Sequence, residues 1–248
     1  MSLSSNELFH FTRFENLKGI INSKAFFPRY CLEFTFLSNQ FERQASLLPV
    51  AMTCFCDIPY ELSQHHRERY GNHAIIMRED WKISRKLNPV MYIQPESNVA
   101  ELLADFTNTA VGFAPLIADE NNDITIAKSL GSVTRKLTRL QYFIKQFENK
   151  EEVIIKYAGK YRKFEKRRFY DEREWRYVPS PDDFFFLPLE IHEYDDENKL
   201  DDANQRLKKY PLTFEYGDIN YLIVQNESER QEIIQIIGDN KIEIRLSE

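Results

Sequence analysis

The order of hydrophobic periodicities constrains this chain more than any other feature. Residues 8–12 alternate aromatic and polar side chains with the period of a strand, and residues 14–23 then place Leu17, Ile20 and Ile21 at helical spacing. Residues 51–58 are small and apolar enough for a buried strand ended by Pro59, followed by a polar helical stretch to Tyr70 that Gly71 stops. Strands are expected again at 73–77 and 89–93. The pattern becomes helical between about 97 and 150, with one apolar stripe of Leu102, Leu103 and Phe106 and a longer one of Val133, Leu137, Leu140, Phe143, Ile144 and Phe147. Strands return at 174–178, 221–224 and 241–246, with a helix at 227–237 between the last two. Strands at both ends of a chain with a helical middle specify an α+β fold. No repeat, low-complexity tract or linker divides the sequence, so one domain over 1–248 with a helical insertion at about 97–150 is expected.

Composition removes several classes of function. Only seven of the 248 residues are glycine, and neither G-x-x-x-x-G-K nor G-x-G-x-x-G occurs, so a glycine cradle for phosphate is excluded and any nucleotide must be held by side chains. Three cysteines are too few for a disulfide framework in a chain of this length, which fits a reducing cytoplasm. The first ten residues lack a basic and apolar leader, and no run approaches 18 apolar residues, so neither export by a signal peptide nor a membrane span is expected. The formal charge of −6 names no partner, but its distribution is uneven. Residues 156–168 carry seven basic side chains against Glu165, and residues 182–202 carry nine acids against Lys199. These two segments flank Tyr170 to Pro179, which is expected where the opposite fields meet.

Four groups of residues could carry chemistry. In Phe9-His10-Phe11-Thr12, a strand turns His10 and Thr12 to one face while the two phenylalanines enter the core. An ordinary surface strand with two polar residues is the simpler account of that tetrapeptide taken alone. In Glu172-Arg173-Glu174-Trp175-Arg176, an extended chain puts both carboxylates on one face. Such a pair suits chemistry at a sugar anomeric carbon, one carboxylate stabilising oxocarbenium-like charge and the other orienting or deprotonating a nucleophile. An edge strand of alternating charges, with Arg173 and Arg176 offering salt bridges or with pairing to Arg173 or Lys166 across strands, is the competing account. Cys54-Phe55-Cys56 is spaced more tightly than the usual zinc pair, so buried thiols rather than a metal site are expected. Lys163, Lys166 and Arg167 lie in the basic stretch, interleaved with Tyr161 and Phe164, which suits single-stranded nucleic acid or a partner protein as well as a solvated face.

Taken together, these motifs resemble known proteins. Leu8-Phe9-His10-Phe11-Thr12 followed by Phe14-Glu15-Asn16-Leu17 and Ile20-Ile21 looks like the N-terminal signature of DarT-type ADP-ribosyltransferases. The run Thr53 to Pro59, His66, Tyr70-Gly71, Asn88-Pro89-Val90-Met91-Tyr92 and Phe169 to Tyr177 is similar to the AbiGi family of abortive-infection, phage-resistance proteins, described as the antitoxin half of a two-gene system. The resemblance implies an ADP-ribosyltransferase-like mixed sheet and NAD as cofactor, with no metal. It makes Glu174 the catalytic glutamate and Glu172 the residue that orients the acceptor. His10 with Thr12 would hold the nicotinamide-ribose end, Tyr70 would stack on nicotinamide, and His66 would stand alongside. The acceptor would be a nucleic acid or a protein. The middle strand reads Thr53-Cys54-Phe55-Cys56, where such transferases often carry a Ser-Thr-Ser strand or an arginine. An inert antitoxin that grips a cognate toxin, the neighbouring gene product or operator DNA is the second expectation.

Overall fold

The computed structural model of the protein describes residues 5–35, 46–112, 124–157, 160–179 and 189–247. It opens with strand β1 (Leu8–Thr12), helix α1 (Phe14–Ser23), β2 (Ala25–Phe26), β3 (Arg29–Thr35) and the long β4 (Ser46–Cys56). A 3-10 turn (Tyr60–Leu62) leads to α2 (Gln64–Tyr70), β5 (His73–Met77) and α3 (Glu79–Ser84). Next come β6 (Asn88–Pro89), β7 (Met91–Ile93), α4 (Asn98–Gly112) and α5 (Ile124–Gln141). Short strands β8 (Ile144–Gln146) and β9 (Glu148–Asn149) precede the hairpin of β10 (Val153–Tyr157) and β11 (Lys160–Phe164), then β12 (Arg167–Arg168). A 3-10 turn (Phe169–Glu172) enters β13 (Glu174–Tyr177). The chain closes with α6 (Ile191–Tyr194), α7 (Glu197–Leu207), β14 (Leu212–Thr213), β15 (Ile219–Val224), α8 (Glu227–Ile237) and β16 (Glu243–Leu246).

Among the described residues the main sheet runs β16-β15-β5-β1-β4-β13-β6, with β3 also on β4. The β15–β16 pair is parallel and the others antiparallel, so the sheet is mixed and the fold is α+β. One sheet face carries Leu8, Phe55, Ile75 and Met77, which pack with Phe26 of β2, Trp81 of α3 and the helices α1 and α8. On the other, Phe9 and Phe11 stack at 5.8 Å and pack with Ala74, Ile76 and Tyr221. The alternation read in residues 8–12 is therefore real, because both faces of β1 are covered and each takes every second side chain.

Several expectations need correction. The helical middle ends at Gln141, so Phe143, Ile144 and Phe147 do not extend the stripe of α5. Ile144 instead pairs with Met91 in a short parallel ladder, and the Phe143 carbonyl accepts from the Met91 N–H at 2.8 Å. A short apolar run satisfies either period, and the partner strand decides which is used. Neither stripe forms a closed interface: Leu102, Phe106, Val133 and Leu140 are exposed, and Leu103 and Ala100 reach the small cluster with Ile93 and Ile144. Residues 89–93 split between two sheets, Pro89 opposite Trp175 and Met91 opposite Ile144. The basic stretch of 156–168 is largely a hairpin, which joins the acidic region through an ion pair between Arg162 and Asp195. Residues 182–188 of that acidic region lie outside the described residues. No helix among the described residues is long and apolar enough to cross a membrane.

Candidate functional site

The site begins where two strands part. β1 meets β4 at one register pair, Phe9 with Cys56, and beyond it the imidazole of His10 replaces the ladder: Nδ1–H donates to the Cys54 carbonyl at 2.8 Å. A carbonyl only accepts, so the proton sits on Nδ1, and burial, partly offset by that bond, lowers the ring's pKa below its ordinary value. His10 is thus a neutral imidazole whose Nε2 keeps its lone pair. Its ring lies 5.0 Å from Phe26 and 5.4 Å from Phe55.

The end of α2 is fixed against β1 by Gly71. Its φ is +119°, and a Cβ there would stand 2.2 Å from the Thr12 carbonyl oxygen, so only glycine allows the approach. That contact sets Tyr70 and His66 beside Thr12. The His66 ring lies 6.0 Å from both Phe11 and Tyr70. Burial lowers the His66 pKa, and burial with the Glu172 charge pushes the Tyr70 hydroxyl up to about 12.

Glu172 and Glu174 do not share an extended face as expected. Glu172 ends the 3-10 turn, Arg173 is left-handed at φ +46°, and Glu174 begins β13. The unusual backbone at Arg173 is held from outside by Asp57, which accepts from its Nε at 2.6 Å and its Nη2 at 3.2 Å. Both carboxylates nevertheless converge on Lys145, whose Nζ donates to Glu172 at 2.9 Å and to Glu174 at 3.0 Å and lies 3.6 Å from Glu33. Arg176, fully buried, donates through Nε to Glu174 at 2.7 Å, reaches Glu33 at 2.9 Å, and spends Nη1 on the Tyr142 carbonyl at 2.7 Å. Arg167 pairs with Glu172. Three cations therefore balance three carboxylates in a nearly dry cluster. Burial alone would raise the Glu174 pKa, but Arg176 and Lys145 overcome it and hold the carboxyl well below the usual range. The backbone N–H of Glu174 donates to the Tyr92 hydroxyl at 2.8 Å, tying β13 to β7.

All six residues expected to catalyse or bind cofactor line one cavity of about 740 Å3: His10, Thr12, His66, Tyr70, Glu172 and Glu174. That volume is in the range of small-molecule sites. Thr53, buried on the same wall, has a hydroxyl without a hydrogen-bond partner, a polar group that a ligand could satisfy. A smaller cavity of about 660 Å3 adjoins it and shares His66 and Glu172 as wall. Of the three basic residues expected to meet nucleic acid or a partner, Lys166 and Arg167 line this second cavity, while Lys163 lies on the exposed hairpin paired with Glu152 at 2.7 Å.

Sequence reasoning missed Lys145 and Glu33, and gave Arg176 only as a salt-bridging member of an edge strand. Arg176 carried a local signal, two residues after Glu174 on the same strand face. Lys145 and Glu33 carried none, since sheet register alone brings positions so distant in sequence to Glu174.

The described chemistry can be set beside known proteins. A family described as "Putative abortive phage resistance protein AbiGi, antitoxin" matches residues 24–225. The abortive phage resistance protein AbiGi of Lactococcus lactis subsp. cremoris is 27% identical over 227 residues, covering 86% of this chain and 87% of that protein. No solved structure matches the chain. With β2 to β15 inside the family match, including all of β4, β8 and β13, this chain belongs to the AbiGi family of abortive phage resistance proteins.

Proposed function

We propose that this abortive phage resistance protein acts through the larger cavity as an ADP-ribosyltransferase-like enzyme that takes NAD and passes ADP-ribose to a nucleic acid or protein. The observation that carries this reading is the convergence of His10, Thr12, His66, Tyr70, Glu172 and Glu174 on one cavity. The residues suit the ligand: a neutral imidazole, an unpartnered Thr53 hydroxyl, a half-exposed tyrosine ring and an ionised carboxylate offer hydrogen bonds, a stacking surface and negative charge without a glycine loop. NAD supplies a ribose carbon activated by the nicotinamide leaving group. Glu174 stabilises the positive charge that develops at that carbon, and it is already ionised and oriented, so no reorganisation is needed during reaction. His10 offers Nε2 to a ribose hydroxyl, Tyr70 stacks on the nicotinamide ring, and Glu172 orients the acceptor.

The test is release of labelled nicotinamide from NAD, with DNA, RNA and protein acceptors. Release by the wild type, reduced about 10²–10³-fold or more in Glu174→Gln at unchanged fold, is expected. No release with any acceptor, or none lost in Glu174→Gln, contradicts the reading.

A second reading has its own support. The family description names an antitoxin, and both oxygens of Glu174 are already engaged by Arg176 and Lys145, as a purely structural cluster would require. In that case the protein co-purifies with the product of the neighbouring gene, and Glu174→Gln weakens that complex only by weakening the fold. Operator DNA binding would instead be salt-dependent and reduced by Lys163→Gln with Lys166→Gln.

A further inference from the structure

We propose that Lys145 is the positioning residue of the cavity, the cation that yokes Glu172 to Glu174 and keeps the pair charged and adjacent. This deepens the transferase reading and rests on it for the activity measurements below. Both carboxylate oxygens lie within 3.0 Å of one nitrogen, so the two groups are neighbours across it. Among the described residues it is the one cation bonded to both. Arg176 serves Glu174 and Glu33, and Arg167 serves Glu172. Two carboxylates this close in a dry site repel, and one takes up a proton unless a cation stands between them.

The placement of Lys145 is specific. β8 runs parallel to β7 with Lys145 opposite Tyr92, so the strand paired with the one that carries the ammonium group carries the hydroxyl bonded to the Glu174 backbone. The Phe169 ring lies 5.2 Å from Nζ, adding a cation–π contact. The other titratable groups that face Glu174 are Cys54 and Cys56 of β4, Cys31 of β3, His66 and Tyr70 of α2, and Tyr92 of β7, whose hydroxyl burial keeps protonated. Burial raises the pKa of all three thiols and of Tyr70 and lowers that of His66, so these groups are neutral near pH 7 and cannot substitute for the ammonium charge.

The role separates from simple stabilisation by its proton signature. In Lys145→Met, the acid limb of nicotinamide release moves up by about one pH unit or more, and Lys145→Arg restores it most of the way. A readout independent of turnover is the carboxyl carbon titration of protein labelled with 13C-glutamate, with the Glu174 signal assigned by its loss in Glu174→Gln. That signal stays ionised to lower pH in the wild type than in Lys145→Met. The double variant Lys145→Met with Glu172→Gln removes the repelling neighbour, and it returns the Glu174 titration toward the wild-type position even if the single variant is too unstable to study. An unchanged Glu174 titration in Lys145→Met, or in the double variant a titration displaced well above the wild type, overturns the proposal. Absence of nicotinamide release by the wild type overturns the transferase reading, and the carbon titration then still decides the role of Lys145.

Discussion

The sheet around β1, β4 and β13 and the helical insertion of α4 and α5 use the same raw material differently. In the sheet, aromatic side chains are buried and charged ones are paired: Phe55 is 3% exposed, and Arg176, at 0%, has carboxylate or carbonyl partners for all three guanidinium nitrogens. In the insertion, Phe106 and Leu102 are each 58% exposed on a helix whose apolar spacing would suit a core. Hydrophobic periodicity reports that a helix has an apolar face, but not whether anything covers it. The sheet holds the site because its positions are over-determined by neighbours on both faces, whereas among the described residues of the insertion Leu102, Phe106, Val133 and Leu140 stay exposed.

The largest expected effects fall on the sheet. Arg176→Leu leaves Glu174 and Glu33 buried with half their cationic support, and a loss of about 3–5 kcal/mol in denaturant unfolding is expected. Phe55→Ala should cost about as much, roughly 3–5 kcal/mol, by opening a cavity beside His10. If either costs under about 1 kcal/mol, the sheet is no more constrained than the insertion, and the contrast fails.

Gly71→Ala tests the seam between α2 and β1. The substituted Cβ meets the Thr12 carbonyl, so a cost of roughly 1–3 kcal/mol is expected, with displacement of Tyr70 from the cavity. A neutral outcome would show that the helix end is not fixed by that approach.

Acidification separates the two kinds of group in the site. The folded His10 has a pKa below the ordinary 6.5, so the unfolded chain takes the proton first. Its contribution to stability is complete above pH 6.5 and is lost as pH falls through that value toward the folded pKa. Glu174 titrates below the ordinary 4.5, so its contribution is complete above that value and is lost only as pH falls through the depressed folded pKa. Stability measured from pH 7 to pH 5 should therefore decline through His10 and His66, whose pKa burial also lowers, and not through Glu174, and His10→Asn should make the decline shallower. The smallest effect belongs to the insertion: Phe106→Ser should change unfolding by no more than about 0.5 kcal/mol, and a larger loss would show that its face is covered after all.

Much of this contrast was legible in the sequence, and the part that was not has a physical cause. β1, α1, β5 and α8 follow from local periodicity, because each is covered on the face its apolar residues define. The six cavity residues were legible as short motifs, yet the convergence of Glu172 and Glu174 arises from a left-handed Arg173 held by Asp57 rather than from extended spacing. Nothing local announces that device. Local periodicity assigns no element to the residues of β3, and Lys145 falls in a segment of helical phase, so the cations and carboxylates that complete the cluster depend on long-range register.

The central claim is that NAD occupies the cavity shared by His10 and Glu174, and the five histidines allow a direct test. Their imidazole proton signals can be followed by NMR as NAD is added. His10 and His66 line the cavity, His65 lines the adjoining one, His73 is buried against Glu229 at 2.9 Å, and His192 is exposed elsewhere. The account predicts saturable shifts at His10 and His66, none at His73 or His192, and loss of the His10 response in Glu174→Gln. Unmoved His10 and His66 signals at millimolar NAD would contradict it.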